Sequence, residues 1–193
     1  CLGSILRLTR GNGHSKVVAI ADNVLPHEKR PGDRLFTRWF VSACDAFVVM
    51  SQAVLDDLRI FTRKPADVIP HPVYDNYGEK SPRTAALAQL GLLADMHYLL
   101  FFGFIRDYKG LDLLLEAMAD ERIRRMNLKL IVAGEYYGNR EKYEAQIRSL
   151  GIENQLVMRT DYIPNETVRH YFGAADLVVQ PYRSATQSGI SQM

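Results

Sequence analysis

The chain is short of almost everything that would give a quick functional answer. It has two cysteines, Cys1 and Cys44, in 193 residues. That excludes a disulfide framework and any cysteine metal motif, and it fits a reducing, cytoplasmic setting. No His/Cys cluster and no Asp-x-Asp pair at a strand end suggests a metal site. No GxGxxG supports a dinucleotide fold, and no GxxxxGK[ST] supports a P-loop. No apolar run approaches a membrane span. The formal net charge is only +2, which gives no argument for nucleic acid. The opening residues lack the charged, apolar and cleavage regions of a signal peptide. The first residue is not Met, and the chain stops at Gly189-ISQM, where a helix is expected to begin. Both ends therefore read as falling inside folded domains of a longer protein.

What is present is a recurring alternation of strand and helix signals. Lys16-VVAIA is a nearly continuous apolar run, expected to be a parallel strand buried on both faces. In the helix expected over Arg34-LFTRWFVSA, the apolar positions are Leu35, Phe36, Trp39, Phe40 and Ala43. Asp45-AFVVM is the next strand, Ser51 an N-cap for Gln52-AVLDDLRI, and Ala66-DVIP a short strand ended by prolines. Pro72-VYDNYGEKSP is polar and turn-rich, as in a linker. Thr84-AALAQLGL reads as a helix ended by Gly91. A second series follows: strand 98–104, helix 111–118, strand 128–133, helix 140–149 closed by Gly151, strand 155–159, helix 166–172 opened by Asn165, and strand 176–180. Strict alternation predicts α/β architecture with two Rossmann-like, doubly wound parallel-sheet domains, both truncated. The expected division is residues 1–71, a linker over 72–95, and a second domain over 96–193. Cys44-DAFVVMS and Ala175-DLVVQPY echo one another, each placing a small residue and Asp before a buried strand.

The most informative stretch is Tyr98-LLFFGFIRDYKGLDLLLEAM. An apolar strand delivers a glycine turn, holding Arg106 and Lys109, at its carboxyl end. Ligands of open α/β sheets bind there. A phosphate or pyrophosphate is the natural partner for two cations in that position, since charge-assisted hydrogen bonds contribute about 1.5–3 kcal/mol each. The competing reading is a pair of solvated loop charges beside Asp107. Pro181-YRSATQSGISQM, following the strand at 176–180, is the second candidate anion-binding turn. Lys29-RPGDRLFTRW mixes basic and aromatic residues. It suits a membrane surface or a lipid-linked acceptor, against the alternative of a solvated helix start with a buried aromatic face.

At these motifs the chain resembles the GT-B fold glycosyltransferases of family 4. Gly103-FIRDYKGLDLLLEAM resembles that family's donor-binding turn. Ile131-VAGEYYGNREKY, Thr160-DYIPNETV and Ala174-ADLVVQPYRSATQSGISQ continue the likeness in order. Ile20-ADNVLPHEKRPGDR and Asp45-AFVVMSQAVLDDL are similar to the second half of its acceptor domain, and Ile69-PHPVYDN to its crossover. The resemblance implies retaining, metal-independent transfer of a sugar from a nucleotide diphosphate sugar, with no resident cofactor. It implies catalytic roles for Arg106 and Lys109. It implies donor contacts from Gly103, Glu135, Tyr162, Ile163, Thr186, Gln187, Ser188, Gly189, Ile190 and Gln192. Asp22, Asn23 and His27 fall on the acceptor side.

The implied partners are a nucleotide sugar and a carbohydrate or lipid-linked acceptor. No nucleic acid is implied, and the setting is cytoplasmic or peripheral at the inner membrane face. The chain departs from the family pattern in three places. Phe104 stands where an arginine follows the turn glycine. Ser184 and Gln192 stand at the two positions of the Glu-x7-Glu pattern. Ala21 stands where the acceptor-side histidine is expected. These departures keep two other readings open: a non-catalytic GT-B fold binding protein, and another GT-B enzyme such as a nucleotide-sugar epimerase. The isolated chain is expected to be inactive.

Overall fold

A computed structural model describes residues 2–9, 13, 15–26, 28, 30–185 and 188–193. The chain divides into two compact units: Cys1–Val73 with Ser184–Met193, and Tyr74–Arg183.

The first unit contains a three-stranded parallel sheet in the order β1 (Val18–Ala21), β2 (Ala46–Val49), β3 (Ala66–Val68). Its helices are α1 (Leu2–Thr9), α2 (Asp33–Ala43) and α3 (Gln52–Arg59). Ser51 caps α3 as expected, its hydroxyl accepting from the Val54 N–H at 3.3 Å. The core forms around Val41, Cys44, Phe47, Val49, Val54 and Leu58. Two expectations fail here. The first strand is not buried on both faces, because Val17, Ala19 and Ala21 pack against the core while Val18 and Ile20 point to the exposed face. In α2 the buried residues are Val41 and Ala43, and Leu35, Phe36 and Trp39 are exposed. Of the five apolar positions expected to be buried, only Ala43 and, in part, Phe40 reach the core.

The second unit carries a four-stranded parallel sheet in the order β6–β5–β4–β7. Its strands are β4 (His97–Phe102), β5 (Leu128–Ala133), β6 (Leu156–Arg159) and β7 (Leu177–Val178). Between them run α5 (Leu111–Met118), the one-turn α6 (Glu121–Arg124), α7 (Arg140–Leu150) and α8 (Asn165–Ala174), with α4 (Arg83–Leu90) preceding β4. Two apolar clusters cover the two faces of this sheet. One holds Phe101, Leu111, Leu115 and Leu130, and the other Leu100, Ile131, Ala86 and Tyr171. Gly91 and Gly151 end their helices in the left-handed conformation, as expected. Asn165 is not the cap of α8; Pro164 precedes the helix in extended conformation and Asn165 is its first residue. The helix expected at the chain's end is a single 3-10 turn, Gly189–Gln192.

The 74–95 stretch, read as part of a linker, supplies α4 to the second unit. Arg83 donates to the carbonyls of Ala174 at 2.6 Å and Met96 at 2.8 Å and meets Asp176 at 3.2 Å. Ser81 packs so tightly on Gly173 that a Cβ there would lie 2.4 Å from the Ser81 carbonyl oxygen.

The internal echo has a structural cause. The Asp45 carboxylate accepts from the Val17 N–H at 2.9 Å, and the Asp176 carboxylate from the Tyr98 N–H at 2.7 Å. In return the Asp45 N–H donates to the Val17 carbonyl and the Asp176 N–H to the Tyr98 carbonyl. Each Asp thus pairs both backbone groups at the start of a neighbouring strand. Burial pushes the Asp176 carboxyl upward, but the Tyr98 N–H and Arg83 outweigh it and hold the group below its usual value.

Candidate functional site

The strand order of the second sheet reverses between β4 and its two neighbours. β5 and β6 follow on one side, and β7 returns on the other. The turn after β4 and the loop after β7 therefore flank the switch point, the place where open α/β sheets bind their ligands. The turn after β4 is the one carrying Arg106 and Lys109.

The turn is fixed on both sides. Toward β5, the Gly103 N–H donates to Ala133 and the Ile105 N–H to the Glu135 carbonyl, both at 2.9 Å, and Tyr137 donates back to Ile105 at 3.0 Å. The crossing is close: a Cβ on Gly134 would sit 2.4 Å from the Gly103 carbonyl oxygen. Toward β7, the Arg183 N–H donates to the Tyr108 carbonyl at 2.8 Å, and Tyr108 meets Tyr182 edge to face. The Arg183 guanidinium grips Asp112 at 2.6 Å. Gly110 leaves the 3-10 turn Asp107–Lys109 at φ 70° and opens α5. A Cβ at Gly110 would stand 2.1 Å from the Pro181 carbonyl oxygen, so only glycine permits this approach.

The cations are not neutralised by their neighbour in sequence. Asp107 turns to Lys142 at 2.8 Å and the Tyr143 hydroxyl at 3.1 Å, and these bonds hold its carboxyl below the usual value. The Arg106 guanidinium lies over the Tyr137 ring, 3.7 Å from its centroid. Phe104 meets the same ring edge-on at 6.2 Å. Lys109 is buried to 9 % exposure, its ammonium 5.7 Å from the Tyr182 ring centroid. Among the described residues it has no carboxylate partner. Burial, followed by the charge of Arg106, lowers its pKa from 10.5 to about 8.

A buried cation without a counter-charge is unfavourable on its own and is an electrostatic site for an anion. That observation removes the reading of two solvated loop charges for Lys109.

The other candidates are distributed as follows. Glu135 is half-buried beside the turn. Tyr162 is exposed and Ile163 packs against the apolar cluster beneath. Both border a groove of about 240 Å³ that also takes in Arg159, Asp161 and His170. His170 Nδ1 is buried with no hydrogen-bond partner among the described residues. Ser188, Gly189, Ile190 and Gln192 belong to the segment grouped with the first unit. Asp22 and Asn23 leave the carboxyl end of β1. His27, Thr186 and Gln187 lie outside the described residues. Sequence reasoning missed Tyr137, Tyr182 and Arg183, although Tyr137, three residues past Gly134, and Tyr182, directly after Pro181, were a usable signal.

Two parallel α/β units, one with a cationic turn at its switch point, follow the plan of the GT-B glycosyltransferases. The sucrose-phosphate synthase of Thermosynechococcus elongatus superposes on 97% of this chain and 50% of its own with a TM-score of 0.77 at 19% identity. Anabaena HepE, solved with UDP-glucose, superposes on 91% of this chain and 50% of its own with a TM-score of 0.72 at 18% identity. These likenesses are of fold.

The chain belongs to the glycosyl transferases group 1 family, whose pattern matches residues 83–191. It is 31% identical over 153 residues to a D-inositol 3-phosphate glycosyltransferase of Kineococcus radiotolerans, matching 73% of this chain and 35% of that protein. It is 28% identical over 119 residues to a lipopolysaccharide 1,2-N-acetylglucosaminetransferase of Salmonella typhimurium, matching 59% of this chain and 31% of that protein. The chain thus spans about a third of the length of these curated relatives.

Proposed function

We propose that this chain is part of a retaining, metal-independent glycosyltransferase of family 4 that takes its sugar from a nucleotide diphosphate sugar in the cytoplasm. The acceptor is a carbohydrate or a lipid-linked carbohydrate. The observation that carries the reading is Lys109, a buried ammonium without a carboxylate partner among the described residues, at the switch point of a parallel sheet. Departure of a nucleoside diphosphate builds negative charge on the phosphates. A preorganised Lys109, with Arg106 held over Tyr137, stabilises that charge more in the transition state than in the bound donor. The backbone at Tyr162 and Ile163 takes the base, and Thr186 to Ile190 supply further donor contacts. No protein nucleophile is required, because a donor phosphate oxygen can accept the acceptor's proton as the new bond forms on the face the leaving group vacates.

The test is turnover of a nucleotide-sugar panel by the full-length protein of which this chain is part, with the anomeric configuration of the product read by NMR. Retention, with kcat falling at least about tenfold in Lys109→Ala, supports the reading. Inversion, a product epimerised on the sugar ring, or unchanged turnover in the variant contradicts it.

A further inference from the structure

α7 begins beside the cationic turn, and its own first turn is fixed by a cap. The Asn139 side chain accepts from the Lys142 N–H at 3.1 Å. Lys142, Tyr143 and Gln146 then meet the turn and the start of α5. The Tyr143 ring is 2% exposed and belongs to the cluster with Phe101, Leu111 and Leu115. Its hydroxyl reaches out of that core and donates to Asp107 Oδ1 at 3.1 Å, and the Lys142 ammonium donates to the same oxygen at 2.8 Å. Burial, then the bond to Asp107, pushes the Tyr143 hydroxyl above its usual value, so it stays protonated and donating. Gln146 Nε2 donates to the Asp112 carbonyl at 3.0 Å and ties α7 to the first turn of α5.

The Asp112 carboxylate is committed as well. The Arg183 guanidinium donates to both of its oxygens, at 3.2 Å and 2.6 Å. The acidic side chains nearest to Lys109 in sequence, one on each side, are therefore both bonded elsewhere. Among the described residues neither forms an ion pair with Arg106 or Lys109.

Stability does not account for the hold on Asp107. Its side chain is 72% exposed and that of Lys142 46%, and an ion pair in that much water contributes little. The consequence is positional. Asp107 stands one residue from Arg106 and two from Lys109 in the 3-10 turn. A carboxylate released there would have the buried Lys109 ammonium and the Arg106 guanidinium as partners. It would compete with an incoming anion at the high effective concentration of a tethered group. We infer that Lys142 and Tyr143 are positioning residues for donor binding: by holding the Asp107 carboxylate against α7, they keep it from occupying the place of the diphosphate. The inference rests on the reading of this turn as a diphosphate site.

The test is a mutant cycle on the full-length protein of which this chain is part. It is read by calorimetry as affinity for inorganic pyrophosphate and for uridine, guanosine and adenosine diphosphates. Lys142→Met with Tyr143→Phe cuts the hold while keeping the bulk of both side chains. The cut is expected to weaken diphosphate affinity about three- to tenfold. Asp107→Asn added to the cut protein is expected to restore it. The same change in the uncut protein measures the general gain from removing one negative charge. The gain in the cut protein is expected to exceed that one at least about threefold. Unchanged affinity in the cut protein overturns the inference. Equal gains from Asp107→Asn in both backgrounds overturn it too, since the effect is then general electrostatics. A loss that Asp107→Asn does not repair overturns it as well, since Lys142 and Tyr143 then only support packing. Lys109→Ala separates the two readings. If Lys109→Ala abolishes diphosphate binding and the cycle shows no coupling, this inference alone fails. If binding is insensitive to Lys109→Ala, the diphosphate reading of the turn fails and takes this inference with it.

Discussion

Lys109 titrates near 10.5 in the unfolded chain and near 8 in the folded one. The unfolded chain therefore holds the proton more tightly, and the cost of folding around the charged amine is complete below pH 8. That cost is relieved as pH rises from 8 toward 10.5. Lys109→Met is expected to stabilise the unliganded chain at pH 7 by roughly 1–3 kcal/mol, read from chemical denaturation, while losing diphosphate binding. A bound anion works in the other direction. It raises the lysine pKa, so affinity for a diphosphate is expected to hold below pH 8 and to fall above it. A pH series of calorimetric titrations checks this, and an affinity flat from pH 7 to 9.5 would exclude Lys109 as a ligand. Tyr137 acts on the site through Arg106. Tyr137→Phe keeps the ring under the guanidinium and is expected to preserve donor affinity, whereas Tyr137→Leu is expected to lower it by about two- to fivefold.

The elements themselves were largely legible. α5 and β5 fall on the residues read from the sequence, 111–118 and 128–133, because their apolar periodicity is strong and glycine or polar turns bound them. The failures have physical causes. In α2 the apolar residues occupy most of the circumference, so periodicity alone does not tell the buried side from the exposed one. In β1 the alternation of Val18 and Ile20 with Ala19 is masked because both faces are apolar. The turn at 103–110 was legible as a cationic strand end, but its partner loop was not. Arg183 and Tyr182 reach it across more than seventy residues of sequence, and no local pattern reports such a contact. The Asp-before-strand echo was visible and its cause was not. Its reciprocal backbone bonds predict that Asp176→Ala destabilises the second unit by about 1–3 kcal/mol, since it leaves the Tyr98 N–H without its acceptor. Equal denaturation midpoints for parent and variant would contradict that. Gly110→Ala places a methyl group against the Pro181 carbonyl at a positive φ. It is expected to cost at least about 1–3 kcal/mol and to separate the turn from the 180–183 loop, seen as loss of the Tyr108–Tyr182 contact by NMR.

At the scale of the whole molecule, each of the two units is a parallel α/β layer with its own core, and functional residues gather at strand carboxyl ends. In the second unit the switch point, the glycine crossings and the aromatic supports serve one arrangement: two cations held in place without a paired carboxylate among the described residues. In the first unit, Asp22 and Asn23 stand at the carboxyl end of β1. The family pattern, matched over 83–191, falls mostly on the second unit, where the cationic turn lies. We propose that this turn binds the diphosphate of a nucleotide-sugar donor. Isothermal titration of the chain with uridine, guanosine and adenosine diphosphates and their monophosphates tests it most directly. One diphosphate is expected to bind and its monophosphate to bind more weakly, with affinity falling about 10- to 100-fold in Lys109→Ala. Equal affinity for the diphosphate in parent and Lys109→Ala would contradict it.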